Sequence, residues 1–174
     1  MTINPMQYAI YKGKGGQWGA LQFNFQPPHF YKEKEKDFSG AKALINGKLQ
    51  DGWKEREGAI FMEIASTKEK DVYDWDKKIV MALSINDMGK ILFTLATGTE
   101  CTIMHDPGAK SESQGSVKKY LNITSPKDTA EGCIFGVNKT VGGQTEKHKV
   151  PLTGDEVLVL RQVIMSAISR SLAW

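Results

Sequence analysis

A chain of 174 residues, 40% hydrophobic and 25% charged, is long enough to bury one sizeable core, and its composition is neither that of a disordered chain nor that of a membrane protein. Its net charge of +3 is too small to announce a nucleic-acid partner, because such binding depends on where lysines cluster and not on their sum. Cys101 and Cys133 lie far apart with no CxxC or Cys/His spacing, which gives neither a disulfide framework nor a zinc site and points to a reducing compartment.

No apolar run approaches the roughly 20 residues of a membrane helix, and the start of the chain has no basic region leading into an apolar one, so neither a span nor a secretory signal is expected. Gln7 to Lys14 and Trp18 to Gln26 are β-like, with Leu21, Phe23 and Phe25 on one face and Pro27-Pro28 closing the run. Gly13, Gly15, Gly16 and Gly19 between them predict a turn or a close backbone approach. Tyr31 to Gly58 mixes lysines with acids and reads as an exposed hairpin or long loop, with a short strand near Ala43 to Leu49.

Ala59 to Ala65 and Lys78 to Leu83 are predicted strands, joined by the polar connection Ser66 to Asp76 that carries Tyr73 and Trp75. Ser84 then caps a helix with Asp87 at its third position, and Ile85, Met88, Ile91, Leu92 and Leu95 recur at helical spacing until Gly98 stops it. Strands return at Glu100 to His105, Val117 to Thr124, Cys133 to Lys139 and Glu146 to Leu152. Thr153 to Glu156 forms a capping box for a second helix that runs from Gly154 to about Leu172.

The whole chain, 1–174, therefore reads as a single α+β domain in the order ββββαββββα, with two antiparallel sheets because the short connections cannot make parallel crossovers. The second helix is apolar around most of its circumference. A chain this small has little else to cover such a helix, so a subunit interface is expected through Val157, Leu160, Val163, Ile164, Ile168 and Leu172.

Several blocks, taken in order, resemble the Whirly family of single-stranded-DNA-binding proteins. Tyr8 to Lys14 is similar to its opening Tyr-x-Ile-Tyr-Lys-Gly-Lys signature, and Tyr73-Asp74-Trp75 followed by Met81 to Ser84 is similar to its Tyr-Asp-Trp block and first helix start. His105-Asp106-Pro107, then Gly115 to Leu121, then Val150 to Thr153 resemble the family's second half. The blocks span nearly the whole chain, and their joint order is far more specific than any one of them. The chain departs from the pattern at Gly15 to Trp18, a short insertion after Lys14, and across the lysine-rich Tyr31 to Gly58.

The resemblance implies two four-stranded antiparallel sheets packed roughly orthogonally, a homo-oligomer, expected to be a tetramer, assembled through helices, and single-stranded DNA bound along the sheets. It implies binding and protection of single strands in DNA replication, recombination, repair or transcription. RNA binding by the same fold and a transcription-associated scaffold are the alternatives. No transit segment is visible, so a bacterial or phage-infected cytoplasm is expected; an organelle or nucleus applies if the sequence is a mature form.

Sequence-tolerant binding of a single strand needs cations for phosphates and aromatic faces for bases. The residues that interleave in this way are Lys12, Lys14 and Trp18, then Tyr31, Lys32 and Lys34, then Tyr73 and Trp75, and Lys118, Lys119 and Tyr120. Lys12 and Lys14, two apart on a strand, would leave one face about 7 Å apart, close to the spacing of successive phosphates. Each group has a plainer reading. Phe23 and Phe25 fit a core, Trp75 fits an anchor for the first helix, and Lys32 and Lys34, alternating with Glu33 and Glu35, fit a solvated face. His105-Asp106 lacks a third ligand or a nucleophile and fits a strand-end turn. No phosphate-loop pattern is present, so neither enzymatic activity nor a cofactor nor a metal is expected.

Overall fold

The computed structural model describes residues 7–13, 18–32, 44–45, 48–56, 58–106, 117–124 and 132–172. Among these the chain runs β1 (Gln7–Tyr11), β2 (Gly19–Gln26), β3 (His29–Lys32), β4 (Leu44–Ile45), β5 (Lys48–Leu49), β6 (Trp53–Arg56), β7 (Ala59–Glu69), β8 (Val72–Tyr73), β9 (Ile79–Leu83), α1 (Ile85–Thr97), β10 (Cys101–His105), β11 (Val117–Thr124), β12 (Cys133–Val141), β13 (Gln144–Leu152) and α2 (Gly154–Ser171).

Antiparallel pairing builds a first sheet from β1, β2, β7 and β9, and a second from β10, β11, β12 and β13. Two features enlarge the expected pattern. β7 runs four residues past the expected Ala65, to Glu69, and folds back on β8, a short fifth strand of the first sheet. Asp71 makes that reversal in the left-handed conformation, φ 61°, which aspartate tolerates better than most residues. The segment expected as a hairpin or long loop with a short strand near Ala43 to Leu49 does carry, among the described residues, antiparallel ribbons: β3 with β6, and inside them in sequence β4 with β5.

Alternation along the strands sends one face of each sheet inward. Leu21, Phe23, Ile60, Met62, Ile64, Met81 and Leu83 of the first sheet share one core with Ile103, Leu121, Ile123, Phe135, Val137 and Val150 of the second. Phe23 and Phe135 meet edge to face at 6.1 Å and 88°, a favoured aromatic geometry. Phe23 is thus core, and Phe25 packs against it half-buried. Gly19 is required where β2 meets β7, since a Cβ there would collide with the Ala65 carbonyl oxygen.

Both helices start as their sequences dictate. The Asp87 backbone N–H donates to Ser84 Oγ at 3.2 Å and the Ser84 N–H donates back to the Asp87 carboxylate at 3.0 Å, while Gly98 ends α1 at φ 69°. The Thr153 N–H donates to the Glu156 carboxylate at 2.8 Å at the start of α2. No helix among the described residues is long and apolar enough to cross a membrane.

The expected interface on α2 needs correction. Val157, Leu160 and Ile164 are spent inside the protomer, where with Ala167 they form the buried stripe of the helix; Ile168 packs against the same core and Val163 is half-buried. The reason is geometric: on a helix apolar nearly all round, spacing alone does not say which stripe the protomer's own core takes. The apolar side left outside is Leu158, Val159, Met165 and Leu172, of which only Leu172 was expected there.

Candidate nucleic-acid interface

The outward face of the second sheet brings together residues spread in sequence from Thr102 to Lys149. Register sets Met104, Tyr120, Asn138 and Lys147 in one row across β10, β11, β12 and β13, and Thr102, Asn122, Gly136 and Lys149 in the next. Lys118 heads a third row with Thr140 and Thr145. Rows two residues apart along a strand are separated by about 7 Å.

Lys118, Lys147 and Lys149 are exposed, and Tyr120 is half-buried among them. Thr102 Oγ1 donates to Asn122 Oδ1 at 2.9 Å and holds that amide in place. Gly136, lacking a side chain, leaves a groove of about 280 Å³ bordered by Asn122, Asn138, Lys147 and Lys149. The inner side of the same strands carries Leu121, Ile123, Phe135 and Val137, so the platform is rigidly backed by the core.

A second cluster gathers at one corner of the first sheet. Tyr11, 55% exposed, lies 5.4 Å from Tyr73 with the rings tilted by 51°. Thr67 Oγ1 donates to the Trp18 carbonyl, and Asp74 N–H donates to the Ser66 carbonyl at 2.8 Å, so β7 holds both flanks of the corner. Gly13 passes so close that a Cβ would sit 2.8 Å from Tyr73 Oη. Burial, then the Asp71 carboxylate, raises the Tyr73 phenol above its ordinary value. Trp75, in the 3-10 turn Trp75–Lys77, stands half-buried beside this corner in sequence.

The remaining expected residues are placed differently. Lys12 Nζ pairs with Glu156 at 2.8 Å and ties the end of β1 to the first turn of α2. Burial pulls Glu156 upward, but its bonds from Lys12 and Thr153 outweigh that and hold the carboxyl below its usual range. Lys119 points to the opposite side of β11 from Lys118 and Tyr120 and donates to the Val80 carbonyl at 2.7 Å, joining the two sheets. Its ammonium is lowered first by burial and then by neighbouring Lys139. Lys32 Nζ sits 5.3 Å over the Trp53 ring, and Tyr31 stands on β3 opposite Lys54. Lys14 and Lys34 lie outside the described residues. His105 is accounted for by the Asp87 carboxylate, 3.1 Å away.

Sequence reading missed Tyr11, Asn122, Asn138, Lys147 and Lys149. The lysine pair at 147 and 149 alternates around His148 in a strand, a signal that was available; the asparagines carry none until register aligns them with Tyr120.

A family model described as "Whirly transcription factor" matches residues 10–163. The chain is 28% identical over 169 residues to the chloroplastic single-stranded DNA-binding protein WHY1 of Zea mays, covering 96% of this chain and 56% of that protein. It is 26% identical over 121 residues to the mitochondrial single-stranded DNA-binding protein WHY2 of Arabidopsis thaliana, 69% of this chain and 50% of that one. The crystal structure of WHY3 from Arabidopsis thaliana superposes with a TM-score of 0.75 at 25% identity, covering 97% of this chain and 89% of the other. The chain thus spans about half the length of the curated relatives it matches. The expectation of a bacterial or phage-infected cytoplasm is overturned, since these relatives are proteins of chloroplasts and mitochondria. It rested on the start of a chain that covers only part of them, where a missing leader carries no weight.

Proposed function

We propose, from the premise that this chain belongs to the Whirly family, that it binds single-stranded DNA with little dependence on sequence, as a binding module without a catalytic step and in an organelle. The observation that carries the reading is the outward face of the second sheet, where Tyr120 offers a stacking surface between Lys118 and Lys147 and a groove runs past Asn122 and Asn138. Stacking uses the π face that every base has, and lysines take phosphates without reading bases, so tolerance of sequence follows from the residue types. The Tyr11–Tyr73 corner, with Trp18, is a second place for bases.

Protection of single strands in replication, recombination, repair or transcription is the role such binding serves. A homotetramer is part of the proposal. It is supported by the exposed Leu158, Val159, Met165 and Leu172 on α2, which a closed symmetric assembly would cover. Competition of a labelled single strand by unlabelled DNA strands, RNA and duplex tests the reading. Single-stranded DNA of any sequence should compete best, with affinity falling as salt rises. A preference for duplex overturns the reading, and stronger competition by RNA assigns the same face to RNA.

A further inference from the structure

Gly136 stands in the middle of β12, an inner strand of the second sheet, and its neighbours Phe135 and Val137 are fully buried, so its own position faces outward. A glycine inside a strand weakens it and adds nothing to a row of side chains. The fold does not demand one here. The backbone is extended and outside the left-handed region. A Cβ at Gly136 would meet only the Asn122 carbonyl oxygen at 3.7 Å and Lys149 Cγ at 3.8 Å, ordinary contacts, whereas at Gly19 and Gly132 it would collide with backbone.

What the missing side chain leaves is the groove of about 280 Å³. Asn122 and Lys149 wall it on strands about 10 Å apart, and Ile134 and Asn138 lie along its length. Thr102 holds the Asn122 side-chain oxygen, which leaves the amide NH2 to donate. No acid stands in the rows that border the groove. Lys147 and Lys149, both exposed, follow its rim on one side of β13 about 7 Å apart, and Tyr120 lies one row away.

We infer that the Gly136 groove is the seat of one nucleobase of a bound single DNA strand, laid against the bare glycine peptide, with the neighbouring base on Tyr120 and their phosphates at Lys149 and Lys147. The inference rests on the reading given under Proposed function and deepens it: Gly136 serves the ligand and weakens the strand. A peptide surface beside an amide donor suits any base, since every base carries acceptor atoms on its edges, so the seat is compatible with tolerance of sequence.

The test is Gly136→Val, which fills the groove with an uncharged side chain. Affinity for an oligothymidine should fall about tenfold, the loss of one base contact, with the log–log salt slope unchanged because no phosphate contact is removed. The melting temperature should hold or rise, since valine suits a strand better than glycine. Gly136→Ala should lie between wild type and Gly136→Val in affinity. A strand of the same length whose sugars carry no bases should bind wild type and Gly136→Val alike. Undiminished affinity of Gly136→Val for oligothymidine, or the same loss on the baseless strand, overturns the inference while the single-strand reading stands. A lower melting temperature overturns it too, because the glycine then serves the fold. A wild-type chain that binds no oligothymidine overturns both.

Discussion

At the scale of residues, neighbours in sequence have opposite roles. Lys118 and Lys119 read as one basic pair, but strand alternation sends Lys118 to the outward platform and Lys119 to the Val80 carbonyl. Lys118→Ala should lower the salt slope of single-strand binding by about 0.7 without changing the melting temperature. Lys119→Met, by contrast, should destabilise the fold by about 1.5 kcal/mol, measured by urea unfolding, because it leaves that carbonyl without its charged donor. Tyr120→Ala should weaken binding by about 1–3 kcal/mol with the slope unchanged, because stacking releases no ions; a changed slope would mean that Tyr120 acts through its lysine neighbours.

Asp87 ties α1 to β10: its carboxylate closes the capping box by accepting from the Ser84 N–H and hydroxyl, and it also accepts from His105 on β10. Burial pulls its carboxyl up, but the bonds from Ser84 and His105 outweigh burial and hold it below the ordinary value. A carboxyl lowered in the folded state stabilises fully above the unfolded pKa of about 3.9 and loses that contribution as pH falls through its folded value. Asp87→Asn should therefore melt lower than wild type at neutral pH, and the gap should narrow as the pH drops below about 4. A gap independent of pH would show that the carboxylate's charge does not matter there.

At the scale of elements, α2 separates what periodicity tells from what it hides. Its start was legible in Thr153 and Glu156, because capping is a local matter of four consecutive residues. Its orientation was not, because Leu158, Val159, Leu160, Val163, Ile164 and Met165 offer several apolar stripes. The structure buries Leu160 and Ile164 completely. Ile164→Ala should cost about 2–5 kcal/mol in chemical unfolding, the usual range for a cavity in a packed core. A cost near zero would put Ile164 on the surface.

At the scale of the whole molecule, the proposed assembly would close over the apolar side chains that α2 leaves exposed. Leu158→Lys/Met165→Lys should leave the melting profile of a protomer intact and lower the mass seen by light scattering to that of one chain, 19.3 kDa. A wild-type protein already at that mass at micromolar concentration would end the proposal of a tetramer.

The sequence by itself determined whatever depends on neighbours along the chain. That includes both capping boxes, the stop at Gly98, the strands that pair in the two main sheets and the ordered blocks that mark the family. Only the tertiary structure decided which faces those elements present. Register carried Lys147 and Lys149 to Tyr120, the sheet-to-sheet contact turned Lys119 inward, and the ion pair with Glu156 engaged Lys12. The physical reason is that a strand's two faces and a helix's several stripes are equivalent locally. They are told apart only by what packs against them, which here comes from residues distant in the sequence.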